Sequence, residues 1–370
     1  MKFTCNQYIL SKALNIVSKA VTSRTTIPLL KGILLEATAD GFLKLTATDL
    51  DLSIEKKIPI SLLKEGSIVV SAKLFNDIIR KLPNEEIEIE VDDNNSIIIR
   101  CLASKFSIVG QPTDEFPDIG AITKGEKIRI EKEVLREMIK KTSFSASIEE
   151  SKGTLVGVLI EMKENSLTMV ALDGFRMAIA RELMNNKEND DIIISAKNLD
   201  EINKIFTEIE GTTELDIILD EKKAVFFIDD VCIVSRLLEG EFIKYQEILP
   251  KEFQCKVKVN RAELLESIER ASLFAKEGKN NLIKISVTDD KFIITSKSEE
   301  GNVKEEVFVQ NEGTNLEIGF NAKYLLDVLK AISDEEIYMN FNTSVTPCII
   351  NPIEGNSFEY LVLPVRISIY

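Results

Sequence analysis

The side chains able to do chemistry in this chain are few, and their types narrow the options at once. No histidine occurs among the 370 residues. That removes Ser-His-Asp and Cys-His nucleophilic sites. It also leaves a zinc ion only the scattered thiols Cys5, Cys101, Cys232, Cys255 and Cys348. An odd number of well-separated cysteines fits reduced thiols in a cytoplasm better than a disulfide framework. What remains is carboxylate chemistry. Asp92-Asp93, Asp229-Asp230 and Asp289-Asp290 are pairs of the kind that hold magnesium in a nuclease. Each pair falls at an expected hairpin turn, where Asp is favoured for turn geometry. No metal, cofactor or catalytic residue is therefore expected.

The elements that would position any such site come in three similar sets. Ser71-Ala72-Lys73-Leu74-Phe75-Asn76-Asp77-Ile78-Ile79 returns as Ser195-Ala196-Lys197-Asn198-Leu199-Asp200-Glu201-Ile202, and more loosely as Asn321-Ala322-Lys323-Tyr324-Leu325-Leu326-Asp327-Val328-Leu329. The periodicity predicts helices over 7–20, 72–82, 131–142, 197–209, 261–277 and 322–331. In the first, Ile9, Ala13, Ile16, Val17 and Ala20 share a face. Alternating apolar runs around short polar turns predict hairpins, for example 33–37 with 42–49 and 87–91 with 97–100. Each third reads as strand, helix, hairpin, strand, helix and meander. This is an α+β class: three similar domains of antiparallel sheet, each with two helices on one side, expected at 1–122, 128–247 and 255–370. No apolar run approaches the ~20 residues of a membrane span, and the opening runs straight into a strand, so no signal peptide is expected.

The net charge of −15 argues at first against a nucleic-acid partner. The charge is segregated, however. The six helical stretches hold 16 Lys and Arg against 12 Asp and Glu, so they carry +4 and the rest carries −19. Four helices hold a basic pair seven residues apart: Lys12 and Lys19, Lys73 and Arg80, Lys197 and Lys204, Lys323 and Lys330. Seven residues is about two turns, so each pair lies on one face. A single pair would read as a solvated face. Four in equivalent places suggest a cationic helix surface suited to phosphate contacts without base selection. If two chains closed an arc, twelve helices at ~9 Å spacing would give a ring about 34 Å across and about 24 Å free, enough for a duplex.

Several segments resemble the bacterial sliding clamp family, the beta subunit of DNA polymerase III. They are Arg24-Thr25-Thr26-Ile27-Pro28, Thr46-Ala47-Thr48-Asp49-Leu50, Leu172-Asp173-Gly174-Phe175-Arg176-Met177-Ala178, Gly240-Glu241-Phe242-Ile243-Lys244-Tyr245 with Leu249-Pro250, and Tyr360-Leu361-Val362-Leu363-Pro364-Val365-Arg366-Ile367. The similarity runs through the whole chain. It implies the DNA clamp fold and a head-to-tail ring dimer that encircles duplex DNA without sequence selection. It also implies a non-catalytic processivity role, tethering replicative and other DNA polymerases, with loading by clamp-loader ATPases. Nucleotidyl transfer would belong to the polymerase.

The resemblance also implies sites. A groove for a partner peptide with Leu and Phe anchors would use Leu155, Leu172, Gly174, Phe175, Arg176, Met177, Ile248, Val362, Leu363, Pro364, Val365, Arg366 and Ile367. DNA-facing positions would be Lys12, Arg24, Lys73, Arg80 and Lys197. The dimer interface would set Ile78, Phe106 and Ile108 against Leu273 and Phe274, with Lys73 and Lys105 near Glu299 and Glu300. Phe175 stands for a common histidine, Ile243 for a proline, and Glu247 near a common arginine. Ser368-Ile369-Tyr370 extends past the usual end. From pattern alone the C-terminal segment reads as an edge strand broken by Pro364.

Overall fold

The computed structural model describes residues 1–22, 25–120, 126–184, 190–250, 252–276 and 279–367. Its chain packs as two compact bodies. One is Met1–Glu133 with Glu201–Leu237, the other Val134–Asp200 with Leu238–Tyr370. The middle third is thus shared out between them, and the sheets give the reason. The first body holds a five-stranded sheet in the order Ser61–Lys64, Lys2–Asn6, Glu86–Val91, Ser96–Cys101, Ser104–Val109. It also holds an eight-stranded sheet in which Val231–Arg236, from the middle third, pairs antiparallel with Leu52–Pro59, from the first. The second body is built on a twelve-stranded sheet. There Phe358–Val362, from the last third, pairs antiparallel with Arg176–Leu183, from the middle. Backbone ladders therefore run unbroken across both joins between consecutive thirds.

The C-terminal strand is not an edge. It lies between Arg176–Leu183 and Cys348–Pro352, bonded to both. The reason is its two-sided burial. Phe358, Tyr360 and Val362 enter one core and Leu361 the other, the pattern of an internal strand. Pro364 lies just past the last paired residue, Val362, where a missing N–H costs no ladder bond.

Six helices stand at the expected places: α1 Gln7–Val17, α2 Ala72–Lys81, α3 Lys132–Thr142, α4 Ala196–Glu208, α5 Arg261–Ala275 and α6 Ala322–Ala331. The recurrent Ala-Lys start has a physical basis in α2 and α6. The Ala is buried and the Lys exposed, and the next buried residues follow at helical spacing: Phe75, Ile78 and Ile79 in α2, Leu325, Val328 and Leu329 in α6. In α4 the counterparts are Leu199 and Ile202. Asn6 caps α1 by accepting from Tyr8 N at 2.9 Å, and Asn321 caps α6 by accepting from Lys323 N at 3.0 Å. The α1 face differs from the expected one. Ile9 is 40% exposed, and Leu10 and Leu14 take the core positions.

Each third ends by bringing the outgoing chain back to a sheet edge. Gln111 exchanges backbone bonds with Val69, Leu238 N donates to Ile193 O at 2.8 Å, and Val365 N donates to Gly319 O at 2.8 Å. Two of these return segments are the linkers to the next third. The last is the tail. A side chain at Gly319 would place its Cβ 2.6 Å from Val365 O, so the tail approaches as closely as glycine permits.

The aspartate pairs serve turns. Asp92 Oδ1 accepts from Asn94 N and Ser96 N, both at 2.9 Å. Asp230 pairs with Lys56. No cluster of metal-ligating side chains occurs among the described residues.

Candidate functional site

An apolar surface forms in the second body where the middle and last thirds share a sheet. Its floor is a small core cluster: Leu159, Val170, Leu172, Met177, Ile179 and Leu361, with Tyr245 and Ile349. Over it lie Leu155, Leu238, Phe242, Leu249 and Leu363, all only partly buried. Ile248 is 44% exposed beside them. These residues come from three places: the irregular turn before strand Gly157–Lys163, the linker that follows Leu238, and the C-terminal tail. A shallow apolar surface with a buried floor and half-exposed walls is the form that takes a short peptide with two apolar anchors.

The expected groove residues divide into distinct roles. Leu172 and Met177 are buried floor. Leu155 and Leu363 are walls. Val362 faces the opposite way, fully buried in the core under α5 and α6. Gly174 sits at φ +94 in an exposed turn, and Phe175 beside it is 54% exposed. Pro364, Val365 and Ile367 are half-buried and Arg366 is exposed. Ser368, Ile369 and Tyr370 lie outside the described residues. The linker residues Phe242 and Leu249 were missing from the expected set. Their signal was present, because both lie in the Gly240-to-Pro250 segment that carried the family resemblance.

Arg176 is held inside the turn that carries the Phe175 end of this surface. It is 8% exposed and ties the turn in place. Its guanidinium donates to Asp173 Oδ2 at 3.1 Å, Asp327 Oδ2 at 2.5 Å and Phe144 O at 2.7 Å. It lies 5.3 Å from the Phe144 ring and 4.8 Å from that of Tyr324. Asp173 Oδ1 in turn accepts from Phe175 N at 2.8 Å and Arg176 N at 3.0 Å. Phe175 stacks on Tyr324 with centroids 6.0 Å apart. The turn thereby docks on α6, and Leu363 N donates to Phe175 O at 2.9 Å, which fixes the tail beside it. Burial, and after it the Asp173 charge, raises the Tyr324 hydroxyl pKa, so this face keeps a neutral phenol.

Most of the basic helix positions are exposed, and several of them carry ion pairs. Lys12 pairs with Glu210 at 3.7 Å and lies 4.8 Å from the Tyr8 ring. Lys19 pairs with Glu208 at 2.9 Å and is only 17% exposed along its side chain. Arg80 pairs with Asp77 at 3.2 Å, Lys204 with Glu201 at 2.7 Å and Lys330 with Glu269 at 2.8 Å. Lys73, Lys197 and Lys323 are exposed near the N-termini of their helices. Arg24 lies outside the described residues. Exposed pairs of this kind are worth about 0–1 kcal/mol, so a phosphate can displace the carboxylate at little cost.

The expected interface residues sit at two strand edges. In the first body, Ser104–Val109 pairs with Ser96–Cys101 on one side. Phe106 on it is 39% exposed and Ile108 half-buried, with Val109 80% exposed beside them; Ile78 lies at the base of α2 and is 9% exposed. In the second body, Asn302–Phe308 pairs with Lys291–Lys297 on one side. Leu273 on α5 is 64% exposed. Phe274 packs at the Gly301 turn, 3.1 Å from where a Cβ would stand.

Three similar antiparallel domains sharing sheets at their joins define a DNA clamp fold. Family profiles agree, third by third. The N-terminal domain of the DNA polymerase III beta subunit matches residues 1–120, the central domain 129–244 and the C-terminal domain 246–366. The beta sliding clamps of Staphylococcus aureus and Staphylococcus epidermidis are 34% and 33% identical to the chain, each over 99% of both sequences. Among solved structures, the Bacillus subtilis DNA polymerase sliding clamp is 34% identical with a TM-score of 0.95, covering 100% of both chains. A Pseudomonas aeruginosa clamp bound to griselimycin is 28% identical with a TM-score of 0.92, covering 99% of this chain and 100% of that one. The chain belongs to the DNA polymerase III beta subunit family, the beta sliding clamps, which are non-catalytic processivity subunits of bacterial DNA replication.

Proposed function

We propose that two copies of this chain join head to tail into a ring that encircles duplex DNA and slides without sequence selection. In this reading the ring tethers polymerases through the apolar groove and is opened and loaded by a clamp-loader ATPase in the cytoplasm. The observation that carries the ring is a pair of leftover strand edges. At both joins inside the chain, the last strand of one domain's meander pairs with the strand after the hairpin of the neighbouring domain. Ser104–Val109 holds the first role in the first domain, and Asn302–Phe308 the second in the third. Ser104–Val109 is the last strand of its sheet, and residues 302–308 pair only with Lys291–Lys297, because Cys255–Val259 takes up residues 309–313 of the same strand. Pairing those edges between copies repeats the internal join and buries Phe106, Val109 and Leu273. The two edges differ, so the contact is heterologous and closes into a ring or runs on.

The DNA part rests on the helices. Lys73, Lys197 and Lys323 recur at the same helix position in the three domains. No base-reading motif accompanies them, which suits phosphate contacts. The domain limits 1–122, 128–247 and 255–370 complete the reading. The test is retention on DNA. A loaded ring stays on covalently closed circular DNA and runs off linear DNA, and sedimentation gives a dimer. Equal loss from both forms would overturn the encircling role. A strong preference for one DNA sequence would overturn the phosphate-only mode.

A further inference from the structure

The linker from Leu238 to Pro250 supplies the groove walls Phe242 and Leu249, yet between its ends it makes only short turns. It is fastened at few points: Leu238 N to Ile193 O, Thr154 Oγ1 to Glu241 O at 3.3 Å, and Tyr245 Oη to Glu161 Oε2 at 2.5 Å. The last lies midway between the walls. Tyr245 is 5% exposed in the groove floor, and Glu161 is 7% exposed in the strand below it.

Glu161 is an expensive choice for that position. It stands opposite Asp191 in the sheet register, and burial together with the Glu161 charge raises the Asp191 pKa. An apolar residue there would avoid burying a carboxylate beside another. The first domain shows what the same place looks like without a groove. Glu36 is the counterpart of Glu161, in Ile33-Leu34-Leu35-Glu36-Ala37 against Val158-Leu159-Ile160-Glu161-Met162. Its cross-strand partner is Lys44, whose ammonium lies 2.6 Å from it. The cross-strand partner of Glu161 is Thr168, so that cation is gone. Lys163 lies 3.5 Å away on the carboxylate's other oxygen. The first linker has Ile119 where the second has Tyr245, in Glu115-Phe116-Pro117-Asp118-Ile119 against Glu241-Phe242-Ile243-Lys244-Tyr245. The carboxylate–phenol bond thus occurs in the domain whose linker forms a groove wall, and the first domain lacks it.

We infer that Glu161 is a positioning residue for partner binding. Through Tyr245 it holds the linker so that Phe242, Ile248 and Leu249 face a peptide anchor. Ile243 in place of a ring-constrained residue leaves the linker backbone freer, which increases its dependence on that bond. The inference rests on the groove reading.

The test titrates a synthetic peptide with one Leu and one Phe anchor into the full chain and four variants. Tyr245→Phe and Glu161→Leu should each bind roughly three- to tenfold more weakly. Their double variant should be no weaker than either single. Glu161→Gln, whose amide oxygen accepts the same bond, should stay within about twofold of the parent. Amide exchange over 240–249 should speed up in the three weak variants and not in Glu161→Gln. Equal affinity and exchange in all five proteins would overturn the inference, and so would a lower melting temperature with unchanged affinity. If Glu161→Leu fails to fold, Tyr245→Phe against the parent decides by the same two readouts. A parent that is retained on circular DNA but binds no peptide would remove the groove reading, and this inference with it, before any variant is compared.

Discussion

Replacing Arg176 with alanine should destabilise the second body by about 3 kcal/mol, the lower end of what breaking a buried ion pair costs. The guanidinium serves three acceptors, Asp173, Asp327 and the Phe144 carbonyl. Removing it leaves the Asp173 carboxylate with 14% of its side chain exposed and Asp327 with 30%. Asp327 can recover part of its hydration, but Asp173 and the carbonyl can recover little. This is why the estimate sits at the low end and still well above the value of a surface pair. For a body of this size 1 kcal/mol is worth about 2–4 °C, so its calorimetric transition should fall by about 6–12 °C. Amide exchange over 172–177 should rise in parallel, because the same side chain pins the Phe175 turn to α6. Arg176→Lys should recover less than half of the loss, since one ammonium cannot span three acceptors in a fixed plane. A fall below about 2 °C for the alanine variant would refute the reasoning. It would mean that the carboxylates repair their hydration without the guanidinium and that the turn holds without its tie to α6.

Other consequences are more local. Leu363→Asp should weaken peptide binding at least tenfold, by placing a charge on a half-exposed wall, while circular DNA is retained as before; titration calorimetry reads the first and gel filtration of loaded DNA the second. Met177→Asp would be a poor substitute for that test, because Met177 is 3% exposed and its loss would report on folding. Ser107→Pro removes a donor that faces the open side of the edge strand and should shift sedimentation from dimer to monomer. Burial pushes the Cys5 and Cys232 thiols up to about 12 and Cys255 up to about 11, and raises Cys101 and Cys348 too. A thiol-specific dye at pH 8 should therefore label the native protein slowly and all five cysteines once it is unfolded.

The six helices were legible in the sequence because their buried faces recur at helical spacing, and the hairpins because short polar turns separate alternating runs. A strand was expected after each hairpin, but the bounds and partners of two of these strands escaped. Leu52–Pro59 carries Glu55, Lys56 and Lys57, and Asn302–Gly313 has only Val307 buried along twelve residues. Such strands look like solvated edges because backbone pairing, which leaves no periodic trace in the side chains, holds them: Leu52–Pro59 to the distant Val231–Arg236, and residues 302–308 to the adjacent Lys291–Lys297. The C-terminal strand misled for the converse reason. Its proline suggests an edge, whereas the ladder stops just before it. In the groove the motif residues were visible, but their division of labour was not. Whether Val362 or Leu363 lines the apolar surface depends on a one-residue alternation, which only the pairing register fixes. That Arg176 is a tie follows from Asp327, which is 151 residues away in sequence.

If two copies close a ring as proposed, the unlike edges at Ser104–Val109 and residues 302–308 have a kinetic consequence. A closed pair of copies has two identical seams, and passing a DNA strand inside requires breaking only one. While the second seam holds, the parted edges stay tethered to each other. Reclosure is then a first-order event at high effective concentration rather than a search for a free partner. In the proposed ring a loader would have to open only a single strand-pairing seam, and on its release the ring would shut without waiting for a collision.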